Sequence, residues 1–174
     1  MNKRFFRYYY LRFTRLQGDP EEIARGIALG VFIGITPTIP LHTILILAIA
    51  LLLRAGKIAG VLASYVVSNP FTFFFQYYFS WRIGTWLLPY DLSWERIQSV
   101  MDVLSGHASF KTSLEALHRL GGEATAIMLT GGVLLALPFT LASYFISLSF
   151  FKSQRRKKKK RVAEIIAKYE SKED

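Results

Sequence analysis

Two groups of polar side chains interrupt long apolar stretches of this sequence, and their types are suited to binding a ligand. Polar groups are costly inside hydrocarbon, so each one needs a partner or a task. Hydroxyl, amide, imidazole and guanidinium groups donate hydrogen bonds, and together with the free amides of a helix N-terminus they attract anions. The candidates are Thr36, Thr38, His42 and Thr43 in the first group, and Ser68, Asn69, Thr72, Gln76 and Arg82 in the second.

The sharper hypothesis for these residues is an anion site. Many transporters build a site at the membrane midplane from broken helices whose ends face a cavity. We therefore predict that the two groups face each other and bind an anionic or phosphate-bearing group such as a lipid headgroup, with Arg82 assisting if it faces inward. In the alternative, the polar groups cap helix ends and satisfy one another, and Arg82 extends to the outer interface. His42 is either a general base or pH-sensing group, or a partner of a neighbouring carbonyl.

The composition indicates a membrane protein. Hydrophobic residues make up 52% of the 174 residues. Three uncharged runs, at 26–53, 58–81 and 124–151, each exceed the roughly 18 residues that suggest a spanning helix. The chain has no cysteine, which excludes disulfides, thiolate catalysis and cysteine-based metal sites.

The basic residues lie near the ends of the apolar stretches, and they predict the topology. The net charge is +10, with six Lys or Arg in residues 1–25, ten from Lys152 onward, two in the turn at 54–57, and three in residues 90–122. Because basic residues beside membrane segments prefer the cytoplasm, we expect both termini and this turn to be cytoplasmic. This distribution favours anionic lipid headgroups, at 155–161 and at the N-terminus, as partners and argues against nucleic acid.

Three simple spans would put the termini on opposite sides, so the first apolar run is expected to return to the side that it enters. Its two arms, residues 23–35 and 41–53, have 13 residues each, or about 20 Å of helix against a hydrocarbon core of about 30 Å. Pro37 and Pro40 remove backbone donors and disfavour helix at the residues before them, so they predict the tip of a re-entrant hairpin at 23–53. A single kinked helix is the alternative.

The sequence Ser-Asn-Pro at 68–70 predicts a second helix break. Asn69 is typical of an N-cap, and Pro70 is typical of the first helical position after it. We therefore predict a short helix at 58–67 and a spanning helix at 71–88. Aromatic residues favour the membrane interface, and those expected at the outer one are Trp81, Trp86, Tyr90 and Trp94.

The loop at 90–122 and the segment after it are also predicted to be helical. Apolar residues at helical spacing after Ser93, and a capping-box pattern starting at Thr112, indicate short amphipathic helices in this extracytoplasmic loop. A last span is predicted at 124–151, and it tolerates Pro138 in its interior.

Both ends of the chain are basic. Residues 1–22 place aromatic side chains on one helical side and arginines on the other, which predicts a helix in the headgroup layer or, alternatively, one packed against the rest of the chain. Residues 152–174 form a basic tail, predicted to be a solvated helix, and residues 23–151 form the membrane domain. The predicted fold is an all-α integral membrane protein with a re-entrant helical hairpin, two transmembrane helices, and short amphipathic helices in the loop and at the N-terminus.

Glycines at a four-residue spacing predict a close helix contact. Gly26, Gly30 and Gly34 fall on one face of the first arm, where another helix can approach its backbone. Gly56 and Gly60 repeat the spacing in the next segment. Two spans and one hairpin offer little material for a transport pathway, so we predict a homo-oligomer in which glycine faces supply contacts.

The run GIALGVFIGITPTIPLHT, followed by SNPFT and an aromatic stretch ending in RIG, resembles an uncharacterised family of small bacterial inner-membrane proteins, known as domain of unknown function 2062. The resemblance covers residues 23–89, with the last span following. Its most specific parts are the Gly-x-x-x-Gly-x-x-Pro pattern from Gly30 and the Asn-Pro pair at Asn69. The resemblance implies a bacterial membrane location and supplies no reaction.

Two functions remain open from the sequence. The first is a small transporter or lipid translocator with an anion site at broken helix ends. The second is a non-catalytic membrane anchor or assembly factor that acts through its basic tail. No set of nucleophile, base and orienting group can be assembled, and no metal-ligand spacing or phosphate loop occurs, so we predict no enzyme activity, no cofactor and no metal site. The predicted location is the bacterial inner membrane, with several passes.

Overall fold

The chain forms six helices over the residues that the computed structural model describes, which are Leu16, 18–38, 41–90, 92–105, Lys111, Glu115 and 121–170. The predicted all-α fold is confirmed for this part of the chain, which contains no strand. The N-terminal helix predicted over residues 1–22 and the capping box predicted at Thr112 lie largely outside it. The helices are α1 Pro20–Ile35, α2 His42–Leu52, α3 Lys57–Val67, α4 Pro70–Leu87, α5 Trp94–Ser105 and α6 Gly122–Glu170.

Helix α1 begins three residues earlier than predicted, because a complete start signal precedes Ile23. Asp19 is the N-cap, and its carboxylate accepts a hydrogen bond from the Glu21 amide at 3.3 Å. Pro20 occupies the first helical position, where its missing N–H costs nothing. The observed helix has 16 residues, instead of the 13 that the sequence predicted for this arm.

Helices α1 and α2 form a hairpin. Thr36 is extended, as expected for the residue before Pro37, and this ends α1. Two tight turns follow, since the Thr38 amide donates to the Thr36 carbonyl and the Leu41 amide donates to the Thr38 carbonyl, both at 2.7 Å. Helix α2 then runs back, and the Gly56 amide donates to the Glu22 carbonyl at 2.8 Å. The chain therefore reverses at this tip and does not continue as a single kinked helix.

Helix α3 lies alongside α1 in a seam of small residues. A Cβ atom on Gly26 would overlap the backbone of Gly56, and one on Gly30 would overlap the carbonyl of Gly60. Further along, Gly34 faces the backbone of Ser64. Both sets of residue numbers rise in the same direction, so α1 and α3 are parallel. We call this contact the glycine seam, and it is the close approach that the four-residue spacing predicted.

Helix α6 packs against both α4 and α1. A Cβ atom on Gly131 would overlap the carbonyl of Ser80, and one on Gly84 would overlap the carbonyl of Ile127, so α4 and α6 pack closely and run in opposite directions. Helix α1 also runs antiparallel to α6. Ile23 shares an apolar cluster with Phe151, near the middle of α6, and Ile35 shares one with Ala136, four turns earlier.

The second break and the loop helix are also observed. The axes of α3 and α4 differ by 87° across the break at Ser68. Helix α5 occupies the place predicted for it, and its Ile97 and Met101 are buried against α4 and α6. The indole N–H of Trp81 donates to the Leu92 carbonyl at 2.8 Å, and this bond ties the loop back onto α4.

Helix α6 is much longer than the span predicted within it. It contains 49 residues, about 73 Å of helix, and passes through Pro138 without ending. The basic tail is thus helical as far as Glu170, as predicted. Helix α6 is long and apolar enough to cross a membrane, and only 11% of its most apolar window is buried.

Candidate functional site

The hairpin tip and the second break meet through hydrogen bonds. The Ser68 hydroxyl, at the end of α3, donates to the Gly34 carbonyl of α1 at 2.7 Å. The same oxygen lies 3.5 Å from Nε2 of His42, at the start of α2. Nδ1 of His42 lies 3.3 Å from Oγ1 of Thr38 in the tip. We call Gly34, Thr38, His42 and Ser68 the polar network, because they connect both breaks in the chain.

The Ser68 hydroxyl hydrogen assigns a direction to one part of this network. It is used in the bond to Gly34, so the Ser68 oxygen accepts from Nε2–H of His42. Nδ1 of the neutral imidazole is then an acceptor near the Thr38 hydroxyl, which also lies 3.3 Å from the Thr36 carbonyl and 3.4 Å from the Ile33 carbonyl, so its single hydrogen serves one of these three acceptors. Each polar side chain of the network is therefore used by another part of the same chain.

Most of the second predicted group caps the break between α3 and α4. The Asn69 side chain accepts from the Thr72 amide at 3.1 Å, and the Asn69 amide donates to the Thr72 hydroxyl at 3.2 Å. This reciprocal pair confirms Asn69 as an N-cap. The Gln76 amide group donates to the Val67 carbonyl at 3.1 Å, and the Thr72 hydroxyl bonds to the same carbonyl. The helix ends at the break are thus satisfied locally.

The remaining predicted site residues do not join the polar network. Arg82 is exposed on α4, more than three turns beyond the break, and Thr43 is exposed on α2. Thr36 is buried, and its hydroxyl donates back to the Phe32 carbonyl at 2.8 Å. Pro37 packs against Gly132 of α6, where a Cβ atom would collide with the proline ring. Pro40 lies outside the described residues.

Two buried hydroxyls were not predicted from the sequence. Ser80 is fully buried and Tyr77 is 5% exposed, and neither hydroxyl has a hydrogen-bond partner within the described residues. Ser80 lies where α4 and α6 approach most closely, against Gly131. The pairing of Ser80 with Gly84, four residues later, is the small-residue pattern that would have indicated this contact.

A charged cavity lies at the other end of α1. It has a volume of about 180 Å³. Lys152 donates to Glu21 at 3.0 Å, and Arg155 donates to Asp19 at 2.8 Å, so two ion pairs lie in its lining. We call this cavity the basic cleft, and its lining residues are Asp19, Pro20, Glu21, Lys152, Arg155, Arg156 and Lys159.

Only part of this cleft was predicted from the sequence. The run 155–161 was predicted to bind anionic headgroups, whereas no role was predicted for Asp19 or Glu21. The signal that was available is spacing, because Lys152, Arg155, Arg156 and Lys159 occupy one face of a helix. Within the described part of the chain, no group of three or more His, Asp or Glu side chains could hold a metal ion.

Over the described residues, these features define an all-helical protein with a tightly packed hairpin, a broken helix pair and one unbroken helix able to cross a membrane. The chain belongs to the bacterial family described as uncharacterized protein conserved in bacteria (DUF2062), which matches residues 3–160. This confirms the family resemblance and extends it to nearly the whole chain. No curated protein and no solved structure matches the chain.

Proposed function

We propose that this protein is a multi-pass bacterial inner-membrane protein that acts as a non-catalytic anchor or assembly factor. Helix α6 carries this proposal, because one continuous helix of 49 residues joins the apolar window to the basic segment. A helix with this construction holds its basic end at a fixed distance from the membrane surface. Residues 152–165 are exposed along this end and are accessible to a partner.

The exposed apolar surface supports the membrane placement. A core helix of a soluble protein is mostly buried, whereas 11% of the apolar window of α6 is buried. Large apolar side chains are also open on two other helices, with Leu52 of α2 83% and Ile58 of α3 69% exposed, and Ile146 of α6 is 69% exposed. Contact with lipid removes the hydration cost of such surfaces.

In the proposed topology, the hairpin of α1 and α2 is a re-entrant element. Helix α1 follows α6 from Phe151 to Ala136, about 22 Å of helix, and Pro37 at the tip lies against Gly132, about 28 Å from Phe151. The returning helix α2 has 11 residues, about 16 Å of helix, which is less than the roughly 30 Å of a hydrocarbon core. The hydrogen bond from Gly56 to Glu22 returns α2 to the level at which α1 begins. The broken pair α3 and α4 then makes one outward crossing and α6 makes the return, so both termini are cytoplasmic.

Cysteine labelling in intact cells tests this topology, since the chain has no native thiol. Ala55 is only 3% exposed, so the exposed Lys57 in the same turn is the better position. We expect Lys57→Cys to react with a membrane-impermeant maleimide only after the cells are opened. Ser93→Cys, exposed before α5, is the outward control and is expected to react in intact cells. Reaction of Lys57→Cys in intact cells would refute the re-entrant hairpin.

Truncation tests the anchor function. A chain ending at Phe151 keeps the apolar window and the packing of α1 on α6, and it loses the basic segment. In a strain lacking the protein, we expect this variant to insert in the membrane but to leave the deletion phenotype uncorrected. Full correction by the truncated chain would exclude the basic segment as the working surface.

A transporter or lipid translocator is the second candidate, and one observation favours it. The two helix breaks meet at Ser68 and His42, in the manner of a site built from broken helices. Purified protein in liposomes would then move a fluorescent lipid or a labelled anion, and Ser68→Ala would slow this movement. Arg82→Ala serves as the control outside the network. Transport of the lipid or anion at an unchanged rate in Ser68→Ala would exclude this site. No transport by the intact protein would favour the anchor function.

A further inference from the structure

The basic cleft has a surplus of positive charge that the described chain does not neutralise. Four basic and two acidic side chains line it, which leaves a formal charge of +2. The carboxylates of Asp19 and Glu21 are engaged by Arg155 and Lys152, respectively. Arg156 and Lys159 line the same cavity, and neither has a carboxylate partner among the described residues.

The helix N-terminus beside the cleft has part of its amides already used. The Asp19 carboxylate accepts from the Glu21 amide, and Pro20 has no amide hydrogen to offer. The four cationic side chains that line the cavity all come from α6. Lys152, Arg155, Arg156 and Lys159 follow the spacing i, i+3, i+4 and i+7, so they converge on one side of that helix.

We propose that the basic cleft is a binding site for a phosphate group, held by Arg156 and Lys159 beside the two ion pairs. An arginine side chain matches the oxygens of phosphate with two parallel hydrogen bonds, and a lysine adds a compact charge. A cavity of 180 Å³ is far larger than the roughly 10–15 Å³ that one water molecule requires, so it accommodates a polyatomic anion.

The position of the cleft on α6 indicates where the phosphate comes from. Phe151 is buried against Ile23 and precedes Lys152 directly, so the cleft opens where the apolar part of the helix ends. In a membrane this is the depth of the lipid headgroups, which carry phosphate diesters. The lipid source rests on the membrane placement proposed above, whereas binding of soluble phosphate does not.

A matched pair of double variants tests the site. Arg156→Gln with Lys159→Gln removes two charges from the cleft, and Lys157→Gln with Lys160→Gln removes two charges from the same helix outside it. In nanodiscs, we expect the cleft variant to retain phosphatidylglycerol at least about tenfold less well than the control variant by native mass spectrometry, because it loses charge-assisted hydrogen bonds. Phosphatidylcholine nanodiscs measure the contribution of a zwitterionic phosphate.

A second experiment distinguishes lipid phosphate from soluble phosphate. Titration of inorganic phosphate into the detergent-solubilised full chain, against chloride at equal ionic strength, measures binding of the soluble group through the thermal midpoint. If the cleft variant binds less than the control variant only in the nanodiscs, the site belongs to a lipid. If it binds less than the control only in the titration with inorganic phosphate, the site belongs to soluble phosphate. Equal weakening of the two double variants in both experiments would overturn the proposal and reduce the cleft to general electrostatic attraction. The labelling at Lys57 is independent of either result.

Discussion

The polar network and the basic cleft lie at opposite ends of α1, and they handle polar groups in opposite ways. In the network, Ser68, His42 and Thr38 form a chain of hydrogen bonds that ends on a backbone carbonyl. In the cleft, the paired side chains are about half exposed, and two further cations have no carboxylate partner within the described residues.

The difference follows from the surroundings of the two regions. An unpaired polar group between packed helices costs the full free energy of its lost hydration, so the chain provides partners for it. At the exposed end of a helix, water solvates an unmatched charge at little cost, and the charge stays available for a ligand. The network therefore stabilises the fold, and the cleft is the better candidate for binding.

The largest effect is expected from separating the helices that bring the network together. Gly30→Ala places a Cβ atom against the Gly60 carbonyl and 3.0 Å from Cβ of Ala63, so the backbones must move apart. We expect a loss of about 3 kcal/mol in the free energy of unfolding, near the upper end for overpacking. Denaturant titration in detergent measures it. Gly122→Ala, where nothing lies within 4 Å of the added atom, is the control and is expected to be neutral or slightly stabilising.

The next effect tests whether the network is satisfied by its own members. Ser68→Ala removes the bond to the Gly34 carbonyl and leaves Nε2–H of His42 without its acceptor. We expect a loss of about 1–2 kcal/mol in the free energy of unfolding, because both groups stay between packed helices. Ser99→Ala removes an exposed hydroxyl that bonds only within its own helix turn, and should change stability by less than about 0.5 kcal/mol. Equal losses in both variants would show that the Ser68 hydroxyl stabilises the fold no more than an exposed hydroxyl does.

A smaller effect is expected from the ion pairs of the cleft. A double-mutant cycle with Glu21→Gln and Lys152→Gln measures the coupling between these side chains, which are 53% and 49% exposed. We expect less than about 1 kcal/mol, since solvent screens exposed pairs. The coupling should fall further as salt is raised. A coupling of several kcal/mol that is insensitive to salt would show that solvent does not screen this pair, and that it behaves like the polar network.

The smallest effect on stability is expected where the effect on binding is greatest. Arg156→Gln combined with Lys159→Gln should change the free energy of unfolding in the absence of phosphate by no more than about 0.5 kcal/mol, because both side chains are exposed. Denaturant titration in detergent measures this change. A large loss of stability in this double variant would mean that the two cations have a structural partner, and the contrast between the two regions would then fail.

Helix boundaries were largely predictable because their causes are local. Pro37 ended α1 through the restriction on Thr36, and Asn69 with Pro70 started α4 as an N-cap and a first helical residue. The start of α1 was misplaced, although Asp19 and Pro20 carried the same kind of signal. The ends of α1, α2, α3 and α4 were therefore predicted to within about three residues, whereas α6 was predicted as a span and a separate helical tail.

Contacts between helices were predicted less well. The four-residue spacing of Gly26, Gly30 and Gly34 correctly indicated a close approach, but the sequence analysis assigned glycine faces to a homo-oligomer. Helix α3 of the same chain fills this face, so the seam is not available to a second copy. The oligomer remains a prediction that needs another surface. Spacing identifies a face on a helix, whereas the partner of that face depends on how the chain folds back.

By itself, the sequence determined where the helices lie, where two of them break, and that both ends carry positive charge, because backbone restriction and composition act within a few residues. Only the tertiary structure decided that Ser68 meets His42 across 26 residues, and that Lys152 meets Glu21 across 131. Such pairs arise when α6 packs antiparallel to α1 and the seam holds α3 parallel to it. Contacts of this kind depend on the free energy of the whole packed arrangement, and no local pattern encodes them.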